Sequence, residues 1–102
     1  MVSTKNVRIE WTLLAKEDMR EVLNYYKQKS LIGYNLVKDA ILEAIISASK
    51  SPEIFKADNL KKDNNGNIRV FTVYHTRVAY EITDYGILVL RLRHTSREPQ
   101  EY

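Results

Sequence analysis

Three runs with a two-residue rhythm lie almost end to end near the C-terminus, at residues 68–74, 77–82 and 87–93. The links between them are only His75-Thr76 and Thr83-Asp84-Tyr85-Gly86. Parallel neighbours need a crossover of a dozen or more residues, so links this short dictate antiparallel hairpins and a meander. In the last run Leu88, Leu90 and Leu92 are expected to point one way, toward a core, while Arg91 and Arg93 point the other.

Upstream, Val7, Ile9 and Trp11 alternate with Arg8 and Glu10, which predicts a first strand with one buried face. Thr12 then fits an N-cap, and Glu17 and Asp18 sit early in the helix that follows, where its dipole favours acids. Ala15, Met19, Val22, Leu23 and Tyr26 recur at helical spacing to about Lys29. Ser30-Leu31-Ile32-Gly33 reads as the tight turn of a helical hairpin. Leu36, Val37, Ala40, Ile41, Ala44, Ile45 and Ala48 form the stripe of a second helix, which Ser51-Pro52 ends. Residues 53–67 are polar, with a short extra strand expected around residues 55–60 and a tight turn at Asn64-Asn65-Gly66. The predicted class is α+β: an N-terminal strand, a two-helix hairpin, then a three- to four-stranded antiparallel meander with both helices on one face.

With 102 residues, 44% hydrophobic and 28% charged, residues 1–102 are expected to form a single domain. The absence of cysteine excludes disulfides and thiolate metal sites. No apolar run approaches the roughly 20 residues that cross a bilayer, so the expectation is a cytoplasmic protein without a membrane partner. A net charge of +3 is mild, but its distribution is uneven. All nine lysines lie at or before Lys62, whereas five of the seven arginines, Arg69, Arg77, Arg91, Arg93 and Arg97, come after it. Arginine's planar fork matches phosphate or carboxylate oxygens two at a time.

The start of the middle strand at Arg77 can lie beside the end of the last strand at Arg93, so a cationic cluster is expected on the open face of the sheet. Such a cluster suits a phosphodiester and the charge that develops during its cleavage. Arg77, Arg97, His94 and Tyr102 are the candidate catalytic residues, the last two as proton carriers. Arg69, Arg91 and Arg93 are candidates for holding phosphate. No His, Asp or Glu spacing resembles a metal ligand set, and no cofactor is expected. His75, in a turn, reads as a solvated surface residue.

The ordered set RIEWTLLAKEDMREVLNYY, Pro52, GNIR, TRVAYEI and ILVLRLRHTSREPQEY resembles the RelE/ParE superfamily of type II toxin–antitoxin toxins over nearly the whole chain. The resemblance implies a small intracellular poison, a plasmid-stabilisation or addiction-module toxin. A cognate antitoxin would wrap it, and the complex would reach operator DNA only through that antitoxin. RelE-like members cleave messenger RNA on the ribosome without metal. On that pattern TRVAYEI puts Arg77 on one catalytic arginine, and the tail puts Arg97 on another and Tyr102 within a residue of the catalytic tyrosine. Two features depart from it: the tail stops at Tyr102, and the basic pair before the middle strand is reduced to Arg69. ParE-like members poison DNA gyrase by binding it, and the front half here, with Trp11-Thr12, the long hairpin and Tyr25-Tyr26, looks like theirs. Ribosome-dependent mRNA cleavage is thus the leading expectation, with a gyrase poison as the alternative and a non-toxic basic binding domain as a third reading.

Overall fold

The computed structural model describes residues 8–96; Val7, Arg97 and Tyr102 lie outside them. The elements follow the predicted order. β1 (Arg8–Trp11) leads into α1 (Leu13–Lys27) and α2 (Leu31–Lys50), and then come β2 (Lys56–Ala57), β3 (Ile68–Val73), β4 (Thr76–Thr83) and β5 (Gly86–His94). One five-stranded sheet has the order β1-β5-β4-β3-β2. β2 to β5 pair antiparallel, and β1 closes the other edge in parallel with β5.

Both helices lie over one face. Ala15 of α1 and Val37, Ile41, Ile45 and Ala48 of α2 pack with Phe71, Val78, Tyr80, Ile87, Val89 and Leu92 of the sheet, all of them buried. Thr12 couples the first strand to the first helix: its hydroxyl accepts the Ala15 N–H and donates to the Leu90 carbonyl. One side chain thereby satisfies a free helix amide and a strand-edge carbonyl beyond the end of β1.

Three local expectations change. Ser30 is the N-cap of α2, its Oγ accepting the Gly33 N–H at 3.1 Å, so Gly33 sits in the first helical turn and the interhelical link is shorter than four residues. The β3–β4 turn is Tyr74-His75, not His75-Thr76, because Val73 pairs with Thr76. In β5 a bulge interrupts the alternation: Tyr80 faces Val89 while Ala79 faces Arg91, which leaves Leu90 as the extra residue. Ile87, Val89 and Leu92 consequently enter the core, and Leu88 and Leu90 stay half-buried.

Tyr80, fully buried, donates its hydroxyl to the Pro52 carbonyl at 2.6 Å and so ties β4 to the end of α2. Burial lifts its phenol above the ordinary 10.0, outweighing the lowering by Arg69 and by the Phe55 backbone. A folded pKa above the unfolded one means that the contribution is complete below the unfolded value and is lost as pH rises through the folded value. Stability to urea should therefore hold up to about pH 10 and fall above it. In Tyr80→Phe the alkaline decline should be shallower, at the cost of about 1 kcal/mol for the lost hydrogen bond.

Candidate functional site

The register brings Arg77 and Arg93 directly opposite each other, with Thr72 on the far side of Arg77, so β4 and β5 do meet as the sequence predicts. The two guanidinium groups have different environments. Arg77 sends its fork to Asp58, with contacts of 2.6 and 3.4 Å, and the Asp58 side chain is wholly buried. Asp58 also accepts the Leu60 N–H, and Asn64 donates to the carbonyls of Asp58 and Ile68 while accepting the Gly66 and Ile68 amides. The segment from 58 to 67 is thus stitched to the sheet. Val70 and Ala79, which face the same side as Arg91 by register, are buried.

Arg69 donates from Nε to the Gly66 carbonyl at 2.8 Å and from Nη1 to the Phe55 carbonyl at 3.0 Å. Arg91 pairs with Asp18 of α1 at 2.9 and 3.3 Å, and the same carboxylate accepts the Leu92 N–H at 3.0 Å. Asp18 therefore occupies the edge of β5 where β1 has already ended. Hydrogen bonding to Asp18 raises the Arg91 pKa, desolvation opposes this, and the charges of Asp18 and Glu21 add to the rise. Three of the five late arginines are thus engaged within the fold, and Arg97 lies outside the described residues together with Tyr102.

Arg93 and His94 remain. They line a cleft of 240 Å³ between the flank of α1, which supplies Glu21, Val22, Tyr25 and Tyr26, and the end of β5 with Leu92 and Ser96. The Ser96 N–H donates to His94 Nδ1 at 3.1 Å and the Ser96 hydroxyl lies 2.7 Å from the same atom. In the neutral ring this puts the proton on Nε2, because Nδ1 is already an acceptor. Around His94 the rings continue: Tyr25 at 6.0 Å between centroids and His75 at 6.2 Å, near-parallel to it. Lys29 stands over the Tyr25 ring at 4.9 Å.

Sequence reasoning missed Asp58, the buried role of Asp18, and this ring cluster. Asp18 was visible only as an early helix acid, and His75 only as a turn residue. Nothing near Asp58 marks it, since its partner is 19 residues away. Among the described residues no group of three or more His, Cys, Asp or Glu could hold a metal ion, and no helix is long and apolar enough to cross a membrane.

A first strand laid parallel to the last, a helical hairpin and an antiparallel meander agree with the fold expected of the RelE/ParE superfamily, to which the family match below assigns the chain. Within that superfamily the chain belongs to the ParE toxins: the model of the family described as "ParE toxin of type II toxin-antitoxin system, parDE" matches residues 9–99. A solved structure described as "Chromosomal ParDE TA system from P. aeruginosa" shares the fold, with a TM-score of 0.62 and 17% identity over 89% of this chain and 98% of the other. No protein of curated function matches.

Proposed function

We propose that this chain arrests growth as the toxin of a type II toxin–antitoxin module by binding DNA gyrase, and that it does not cut RNA. The observation that carries this reading is the Arg77–Asp58 pair. The arginine that a RelE-like nuclease would turn to the scissile phosphate is here bound to a buried carboxylate, and a phosphate would have to displace that partner. Membership of the ParE family supports the same order of preference. A cognate antitoxin neutralises the toxin, and the pair reaches operator DNA through the antitoxin.

Ribosome-dependent cleavage of messenger RNA is the second reading, favoured by Arg93 and His94 at one cleft. Under it Arg77, Arg97, His94 and Tyr102 would be the catalytic set, and Arg69, Arg91 and Arg93 would hold phosphate. Induced expression in a bacterial host separates the two. The expected result is growth arrest with a DNA damage response and intact messages by primer extension. Cuts inside translated messages without DNA damage would reverse the order.

A further inference from the structure

The β3–β4 turn carries local backbone strain that burial of its side chains does not offset. Both central residues are left-handed, Tyr74 at φ 46° and His75 at φ 63°. A two-residue turn of this kind suits Asn-Gly, because small residues tolerate positive φ and bulky ones are strained by it. Burial does not compensate, since Tyr74 is 52% exposed and His75 is exposed too. The next residue adds a second cost: Thr76 Oγ1 is buried with no hydrogen-bond partner among the described residues. Yet the turn is firmly held, with the Tyr26 hydroxyl donating to the Tyr74 carbonyl at 2.9 Å and the Thr95 N–H to the His75 carbonyl at 2.8 Å. Strain kept in a rigid, exposed place points to a surface used for binding.

The charges beside it indicate what binds. Asp18 is paired with Arg91, and the charge of Glu21, which lines the same cleft, adds to the rise of the Arg91 pKa. Arg93, in that cleft, has no acid partner among the described residues, and Lys29 rests on the exposed Tyr25 ring. Exposed tyrosines beside arginine are the composition of interface hot spots, and uncompensated cations favour an acidic counterpart.

We propose that Tyr74, His75, His94 and Tyr25, with Arg93 and Lys29, form the face that grips an acidic protein surface on the poisoned target. This rests on the reading of a toxin that acts by protein contact.

The test is the double variant Tyr74→Asn/His75→Gly, with Lys29→Glu/Arg93→Glu as a charge-reversed companion. Both would be followed by thermal melting, growth arrest on induction, and affinity for purified gyrase holoenzyme. The turn variant should melt about 4 °C or more above the parent, lose growth arrest, and bind gyrase at least about tenfold more weakly. The charge-reversed variant should keep its melting temperature and also lose arrest. A turn variant that is more stable and fully toxic overturns the proposal, as does one that melts lower, since the rings would then be structural. Arrest that survives charge reversal overturns the acidic partner. Tight binding of the parent to a single-stranded oligonucleotide, abolished by charge reversal, would give the face to nucleic acid instead. Parental arrest without gyrase binding or DNA damage would sink the gyrase reading alone, because the growth comparison still decides the face.

Discussion

Asp58→Ala is expected to cost about 3 kcal/mol or more in urea unfolding. The Asp58 side chain has no exposure and that of Arg77 has 20%, so removing the carboxylate leaves a guanidinium largely out of water with its nearest anion gone. The Leu60 N–H loses its acceptor in the same step. A buried pair is weak proof of net stability, because the attraction mainly offsets the cost of desolvating two charges, and the penalty of breaking one side is nevertheless large. The double variant Asp58→Ala/Arg77→Met should therefore be more stable than Asp58→Ala alone, with a coupling of about 1–3 kcal/mol across the cycle. A cost below about 1 kcal/mol for Asp58→Ala would show that the pair is solvated in solution. The cycle also bears on function: under the gyrase reading the double variant remains toxic, whereas a nuclease that uses Arg77 would be inactive.

The local rules worked where neighbours in sequence decide the outcome. The Thr12 cap, the α2 stripe through Val37, Ile41, Ile45 and Ala48, and the meander forced by short links all stand in the structure. They failed where a distant group intervenes. The period of two in residues 87–93 continues unbroken in the sequence, but β5 gains a residue against β4 at Leu90, so Leu92 keeps the core face that the alternation predicts while Ile87 and Val89, before the bulge, take it in place of Leu88 and Leu90. The sequence makes Arg91 a candidate for holding phosphate; Asp18, 73 residues earlier, claims it. Arg77 does lie beside Arg93, yet its electrostatic state depends on Asp58. A count of arginines shows where cations gather along a chain and not which of them the fold has already neutralised. That distinction is what moves the preferred mechanism from phosphate chemistry to protein contact.

Gly86→Ala should be the most damaging small substitution on the sheet, costing about 3 kcal/mol or more. Gly86 opens β5 at φ +152°, where L side chains are strained, and a Cβ built there would lie 2.0 Å from the Arg8 carbonyl oxygen and 2.8 Å from its nitrogen. These are backbone atoms of β1, paired to Gly86 in the parallel register, and the Arg8 N–H donates to the Tyr85 carbonyl at 2.7 Å. No rotamer change relieves such a contact, so β1 must move away. The movement does not stay at the edge. Trp11 is followed by Thr12, which caps α1 and holds the Leu90 carbonyl, so displacing β1 loosens the seat of the first helix on the strand that carries Arg93 and His94. Gly66→Ala is the control: its φ is +100° but the nearest atom to an added Cβ is the end of the Arg69 side chain at 3.9 Å. Its cost should be that of backbone conformation alone, about 1 kcal/mol. Hydrogen exchange separates the two effects, with faster exchange expected at the amides of β1 in Gly86→Ala and unchanged rates there in Gly66→Ala. Equal losses in the two variants would mean that the close approach of β1 to β5 contributes nothing beyond the unusual dihedral.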